Sequence, residues 1–265
     1  MVDKLLHLRV LSALVGIPIA LLAAWYGSWL LWLITMLIFT AAALEMTTIL
    51  KGLGLQPAGW IIQIGGLILF AGAYQYKDTI INVIYVLLVL INLLWLVFCY
   101  PKKTPTDVFA NLAATLYLGN LVFLYLTREL PGGLAWLLLI LTTTWASDTF
   151  AYFVGRAIGR HKLAPLLSPK KTVEGAVGGV AGAALTACLL AQFLPDLPVQ
   201  PVVLLGALVG IASLLGDLFE SAIKRQAGVK DSGHLIPGHG GILDRFDSLL
   251  ITTPLVYYIV KLFII

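Results

Sequence analysis

Apolar residues fall in nine long runs along this 265-residue chain, and polar residues concentrate in the links between them. The runs lie at about residues 10–26, 29–50, 59–74, 80–99, 108–126, 134–154, 173–194, 201–220 and 248–265. Because about 20 apolar residues in a helix span the hydrocarbon core of a bilayer, each run is close to the length of one crossing. The pattern therefore predicts an all-α integral membrane protein with about nine transmembrane helices.

These helices are expected to form a single multi-pass membrane domain over residues 1–265. Its first part, to about residue 105, consists of helices alone, whereas about 106–265 also carries two longer polar loops. The loops cover about 155–172 and 221–247, and the remaining links are brief. We therefore expect any chemistry to take place in these two loops.

Composition supports the membrane assignment. Apolar residues make up 60% of the chain and charged residues only 11%, whereas a soluble domain is about a quarter charged. A soluble protein of this length would lack the polar side chains to cover its surface. These figures exclude a soluble enzyme, a disordered tail and a fibrous repeat.

The few charges predict an orientation and a kind of partner. With the N-terminus in the cytoplasm and nine crossings, the inside loops hold 14 of the 17 basic residues, all but Lys77, Arg128 and Lys261. This topology places both polar loops in the cytoplasm and the C-terminus outside, in a cell membrane. The formal net charge of +4 suits contact with lipid headgroups or phosphates, and is too small and scattered for nucleic acid.

The helix that enters the last loop carries a polar stripe on an otherwise apolar surface. Its members recur at three- and four-residue spacing: Gly206, Gly210, Ser213, Asp217, Glu220, Ser221 and Lys224. An acidic side chain beside a bilayer is expensive unless it faces a partner or a cavity. Glu220 can be explained by an ion pair with Lys224, but Asp217 lies deeper and is the better functional candidate.

Further carboxylates follow in the glycine-rich segment 237–247. Asp244 and Asp247 lie three positions apart, so that in a helix they face the same way. Together with Asp217 they predict three carboxylates that converge near the membrane surface, and oxygen ligands of this kind select Mg²⁺ or a similar hard ion. The alternative is a glycine-rich turn in which Asp244 only caps the final helix.

The basic loop ends in a second candidate site. Ser168, Lys170, Lys171 and Thr172 precede a predicted helix, and lysines with a hydroxyl at a helix N-terminus suit a polyphosphate or phospholipid headgroup. The alternative is that the lysines only set the topology. The preceding span adds Asp148, a further buried acid.

Residues 221–247 resemble the signature of the phosphatidate cytidylyltransferases, also called CDP-diacylglycerol synthases. The similarity covers 27 consecutive residues, and segments 147–152, 168–172 and 216–220 resemble the motifs that flank the signature. The resemblance is dense from about 142 to 248, and the first hundred residues are compatible with it.

The resemblance implies that CTP and phosphatidate react to give CDP-diacylglycerol and pyrophosphate. It implies a funnel-like all-helical fold, a homodimer, and a metal centre of Mg²⁺ at Asp217, Asp244 and Asp247, with a second monovalent cation such as K⁺. We also expect catalytic roles for Lys224, Arg225, His239 and Arg245. We expect contacts with the substrates from Asp148, Ser168, Lys170, Lys171, Thr172, Ser221, Lys230, Asp231, Gly240 and Gly241.

Two alternatives remain from the sequence. One is a related CTP-dependent enzyme that acts on archaeal-type lipids, and the other is an ion- or proton-coupled transporter that uses Asp148 and Asp217. A transporter would be expected to place its polar groups near mid-membrane, whereas here they cluster at one face. If the carboxylates serve a cation rather than the fold, Asp244→Asn and Asp247→Asn should abolish turnover and leave stability nearly intact.

Overall fold

A computed structural model describes residues 2–194, 197–236, 238 and 240–265, with side chains from residue 14 onward. The helices are α1 (Val2–Tyr26), α2 (Ser28–Gly52), α3 (Gly59–Tyr76), α4 (Ile81–Cys99), α5 (Pro105–Gly119), α6 (Val122–Arg128), α7 (Gly133–Ile158), α8 (Val173–Phe193), α9 (Val199–Gln226), α10 (Leu243–Phe246) and α11 (Leu249–Ile259). A π-helical turn, Val260–Ile264, continues α11. Two strands, β1 (Lys162–Ala164) and β2 (Ser168–Thr172), complete the described elements.

Each of the nine apolar runs corresponds to helix in the structure. In the described part of the chain, seven helical segments are long and apolar enough to cross a membrane: Ser28–Gly52, Ile81–Cys99, Pro105–Arg128, Gly133–Ile158, Val173–Phe193, Val199–Gln226 and Leu243–Ile264. In α1, where side chains are described from residue 14 onward, the apolar segment Leu14–Tyr26 is shorter than these seven. The all-α membrane class is thus confirmed, while the count of nine crossings stays a prediction.

The basic loop contains a feature that the hydrophobic pattern did not predict. β1 and β2 form an antiparallel hairpin in which Lys162 pairs with Thr172 and Ala164 pairs with Ser168. Its polar, lysine-rich sequence has no period-two apolar alternation, which is the signal that predicts a strand. The hairpin fixes the direction in which the side chains of β2 point.

The chain divides into two compact units. The first unit is Met1–Leu126 with Ile223–Arg245, and the second is Thr127–Ala222 with Phe246–Ile265. The first unit thus extends to Leu126 and includes part of the last polar loop, whereas the boundary expected at about residue 105 stays a prediction.

Small residues bring the helices of the first unit close together. A Cβ at Gly65 would lie 2.6 Å from the side chain of Leu88, and one at Gly66 would collide with the ring of Phe39. Between α4 and α5, the side-chain amide of Asn111 donates to Asn92 at 2.6 Å, and both side chains are fully buried. In a bilayer there is no hydrophobic driving force between helices, because lipid tails are as apolar as the side chains. Close packing and hydrogen bonds of this kind hold the helices together instead.

The second unit is built on the close contact of α7 with α8 and of α8 with α9. On α8, a Cβ at Gly178 would lie 2.6 Å from the side chain of Val154 on α7. On α9, a Cβ at Gly206 would lie 2.9 Å from the carbonyl oxygen of Ala183, and one at Gly210 would lie 2.8 Å from the backbone of Val180. The glycine half of the stripe on α9 is therefore a packing surface for α8.

Candidate active site

The polar half of the same stripe is where the second unit gathers its candidate residues. Ser213 donates to the Asp148 carboxylate of α7 at 3.4 Å, and its carbonyl oxygen accepts a hydrogen bond from the Ser248 hydroxyl at 3.1 Å. Asp217 lies one turn further along α9 and accepts from the Ser221 hydroxyl at 3.3 Å. Spacing in the sequence predicted this face, and these hydrogen bonds lie along it.

Lys171 connects the basic hairpin to this face. Its ammonium nitrogen lies 2.8 Å from Oδ2 of Asp217, and the two side chains are 23% and 36% exposed. Successive side chains of a strand point to opposite sides, so Lys170, its neighbour on β2, is exposed instead. The two lysines that the sequence treats as a pair therefore have different surroundings.

Thr172 fixes the end of the hairpin against the start of α8. Its side-chain oxygen caps the helix by accepting from the backbone N–H of Gly175 at 3.1 Å, and Thr172 is 7% exposed. A Cβ at Gly159 would lie 2.7 Å from that oxygen, so the end of α7 also approaches it. Just before β1, Nδ1 of His161 lies 2.6 Å from the Glu174 carboxylate. These contacts attach the hairpin to α7 and α8. Ser168, which is half-buried at the turn of the hairpin, is held in place with it.

Gly216 brings the backbone at Asp247 to α9. A Cβ at position 216 would lie 2.7 Å from the carbonyl oxygen of Asp247 and 2.9 Å from the Cα of Ser248. Only a glycine permits this approach, because any side chain would push the backbone away. Asp217, the next residue of α9, and Asp247 therefore belong to one corner of the second unit.

Asp244 belongs to the first unit, where three donors surround its carboxylate. Oδ1 accepts from the Lys224 ammonium, and Oδ2 accepts from the backbone N–H groups of Ser232 at 2.9 Å and Gly241 at 2.8 Å. The Lys224 and Asp244 side chains are only 9% and 6% exposed. Asp244 thus organises its own loop, and its service to a cation stays a prediction.

Glu45 is a site residue that the sequence analysis missed. Although it lies on α2, its carboxylate accepts from Ser232 Oγ and from the backbone N–H groups of Ile242 and Leu243, at 2.8–2.9 Å. A signal was present, since Glu45 is the single acidic residue in the run 29–50 and an acid within a membrane span is a functional candidate by default.

The remaining candidates have varied surroundings. Arg225 donates to the carbonyl oxygen of Val229 at 2.9 Å. Lys230, Asp231 and Arg245 are exposed. The carbonyl oxygen of Gly240 accepts from the N–H of Ile236 at 2.9 Å, whereas Gly241 is buried. His239 lies outside the described residues, so its catalytic role stays a prediction.

A metal centre of three carboxylates is not formed within either unit taken by itself. Among the described residues, no group of three His, Cys, Asp or Glu side chains is placed to hold a metal ion. Asp244 belongs to a different unit from Asp217 and Asp247, so the convergence of the three stays a prediction. The donors of the second unit nevertheless suit Mg²⁺, which takes oxygen ligands and often binds through one or two carboxylates together with substrate phosphates.

Comparison with known proteins identifies the family. The sequence profile of the cytidylyltransferase family matches residues 7–263. The chain belongs to this family. A phosphatidate cytidylyltransferase of Synechocystis sp. is 35% identical and aligns over 96% of both chains. Another from Staphylococcus saprophyticus is 32% identical over 94% of this chain and 97% of its own. A third, from Bacillus subtilis, is 45% identical over 133 residues, 49% of each chain.

Proposed function

We propose that this chain transfers the cytidylyl group of CTP to phosphatidate, giving CDP-diacylglycerol and pyrophosphate. The observation that carries the proposal is similarity over nearly the whole chain. The family profile spans residues 7–263, and two relatives named as phosphatidate cytidylyltransferases align over at least 94% of the sequence. The polar surroundings of α9 and the basic hairpin are consistent with substrates that carry phosphates.

The reaction is a displacement at phosphorus. An oxygen of the phosphatidate phosphate attacks the α-phosphorus of CTP, and the bond from that phosphorus to the bridging oxygen breaks. Pyrophosphate leaves with the electron pair of that bond. Because the second pKa of a phosphate monoester is about 6, the nucleophile is largely ionised near neutral pH. The protein therefore needs no strong general base, and its main task is to offset negative charge.

In the second unit, Lys171 supplies positive charge for this task, and Asp217 would supply it by holding a cation. Lys171 reaches the polar face of α9 as a partly buried ammonium, where it can bind a phosphate oxygen of either substrate. Lys170 extends from the exposed side of β2 and can meet phosphates at the protein surface. Ser213 and Ser221 add hydroxyl donors on the same face. In the first unit, Lys224 is the corresponding cation, held at Asp244.

Magnesium dependence is part of the proposal. Asp217 and Asp247 would hold Mg²⁺ together with substrate phosphates and water, and Asp244 is proposed as a third ligand. When bound, the cation neutralises charge that develops at the α-phosphate and the leaving group. A second, monovalent cation such as K⁺ and a homodimeric state are also proposed, on the family resemblance alone.

The test uses purified protein in detergent, CTP labelled at the α-phosphate, short-chain phosphatidate and Mg²⁺. We expect label to enter the lipid fraction and pyrophosphate to appear in equal amount. Release of pyrophosphate without labelled lipid would mean CTP hydrolysis and would contradict the proposal. A parallel reaction with an ether-linked archaeal-type lipid phosphate tests the alternative acceptor, and EDTA followed by Mg²⁺ or K⁺ tests the cations.

Sidedness is proposed from the distribution of basic residues: N-terminus and hairpin in the cytoplasm, C-terminus outside. CTP is a cytosolic anion that does not cross a bilayer, so the hairpin must face the cytoplasm. Two reporters test this, one inserted at the exposed turn between Pro165 and Leu166 and one fused after Ile265. A reporter that is active only in the cytoplasm should work at the hairpin, and one active only outside should work after Ile265. The reverse result at the hairpin would overturn the proposed topology.

A further inference from the structure

Glu45 lies in an apolar helix, yet all of the described hydrogen bonds of its side chain join it to a loop far along the chain. Oε1 accepts from the N–H of Ile242 at 2.9 Å, and Oε2 accepts from the N–H of Leu243 at 2.9 Å. Oε2 also accepts from the Ser232 hydroxyl at 2.8 Å. One carboxylate from α2 therefore holds both ends of the segment 232–243.

The Glu45 carboxylate and the Asp244 carboxylate share Ser232 as a partner. The Ser232 hydroxyl donates to Glu45 and accepts from the N–H of Asp244 at 3.3 Å, while the Ser232 N–H donates to Asp244 at 2.9 Å. Asp244 in turn holds the Lys224 ammonium. The arrangement forms a chain of contacts, Glu45–Ser232–Asp244–Lys224, within the first unit.

Two glycines of the loop make room for Glu45. A Cβ at Gly233 would lie 2.7 Å from Oε1 of Glu45, and a Cβ at Gly241 would collide with Oε2 and with the Ser232 hydroxyl. The requirement for glycine at these positions thus has a packing cause, because a side chain at either one would displace the carboxylate. Gly240, with a φ of +85°, supplies the turn that precedes this contact.

We propose that Glu45 is a positioning residue, which holds residues 231–236 and 240–244 in the arrangement that presents Lys224 and Asp244 for the reaction. The inference rests on the proposed function. A carboxylate in an apolar helix is costly unless donors compensate it, and here three donors do so. These hydrogen bonds stabilise one conformation of the loop. The loop carries glycine at four positions from 233 to 241, so without them it could adopt many conformations.

The variant Glu45→Gln distinguishes this role from simple space filling. Glutamine has nearly the same shape, but one end of its amide is a donor. In either orientation that NH₂ faces a backbone N–H of residue 242 or 243, so one contact becomes repulsive. We expect kcat and kcat/KM for CTP to fall together by about tenfold or more with KM little changed, since the loss concerns geometry in the transition state. Glu45→Asp, which keeps the charge, should restore part of the rate.

Hydrogen exchange supplies a readout that does not depend on activity. In Glu45→Gln, amides of 231–243 should exchange faster, whereas those of α3 to α5 in the same unit should not change. Ser232→Ala removes one of the three donors and should produce the same local pattern with a smaller amplitude. It also provides a second variant if Glu45→Gln folds poorly. Thr48→Ala is the matched control, because its exposed hydroxyl on α2 bonds only to the Leu44 carbonyl oxygen in the described contacts.

The outcomes separate the alternatives. Wild-type kinetics and exchange in Glu45→Gln would overturn the proposal, and so would faster exchange throughout the first unit, which would make Glu45 a general stability residue. If the wild-type protein does not transfer cytidylyl groups but the loop still exchanges faster in the variant, the proposed function fails while the anchoring by Glu45 holds.

Discussion

The ammonium nitrogen of Lys171 lies 2.8 Å from Oδ2 of Asp217, which joins the end of β2 to the polar face of α9. The contact places a positive and a negative group where the proposed reaction needs both, one for a phosphate and one for a cation. It also gives Lys171 a different role from Lys170, which stands beside it in the sequence but points to the exposed side of the strand.

Lys171→Ala should therefore reduce turnover more than Lys170→Ala. Losing one charge-assisted hydrogen bond is worth about 1.5–3 kcal/mol, or roughly ten- to a hundredfold in kcat/KM. Lys170 is exposed, and its removal should cost at most about fivefold, as for an exposed ion pair. Steady-state kinetics with CTP and with phosphatidate measure both effects. Equal losses in the two variants would show that the contact with Asp217 does not matter.

Asp217→Asn should greatly reduce turnover and leave the midpoint of thermal unfolding in detergent nearly unchanged. Asp217 is 36% exposed, so the amide can be solvated when the ion pair is lost. The residual activity should need a higher Mg²⁺ concentration for half-saturation if this carboxylate binds the cation. Ser221→Ala, which removes only the hydroxyl partner of Asp217, is the matched control and should have a smaller effect. An unchanged Mg²⁺ requirement in Asp217→Asn would exclude it as a ligand.

Asp244→Asn should lower stability as well as turnover, unlike Asp217→Asn. Lys224 and Asp244 are both nearly buried, and the loss of one partner leaves an unpaired charge at a cost of about 3–5 kcal/mol. Combining Asp244→Asn with Lys224→Met removes that charge and should recover most of the unfolding midpoint, but not the activity. A double-mutant cycle on unfolding in detergent measures the coupling. Independent effects of the two substitutions would contradict the ion pair.

Gly216→Ala should disrupt the site through the backbone alone. The new Cβ would lie 2.7 Å from the carbonyl oxygen of Asp247, so that α9 and the segment 247–248 must move apart. We expect a loss of activity of at least about tenfold, because displacements of about 1 Å can cost a hundredfold. Gly52→Ala is the control, since its nearest neighbour, Ala227, would be at an ordinary 3.8 Å. Full activity in Gly216→Ala would show that the approach of Asp247 to α9 is not needed.

The sequence by itself determined the class of the protein and one face of the site. Nine apolar runs correspond to helix because each is long enough to satisfy its own backbone hydrogen bonds in lipid. Spacing of three and four residues placed Ser213 and Asp217 on one side of α9, since the helical period alone fixes that relation.

Tertiary structure decided which groups meet. The different surroundings of Lys170 and Lys171 depend on a hairpin that has no hydrophobic alternation to predict it. The partners of Glu45 depend on contacts with residues up to 198 positions away, which local periodicity does not encode. Asp244, which the motif placed among metal ligands, accepts from Ser232, Gly241 and Lys224, because folding of the loop brings these donors to it. Local pattern thus determines which helices form, and the packing of distant segments determines the partner of each charge.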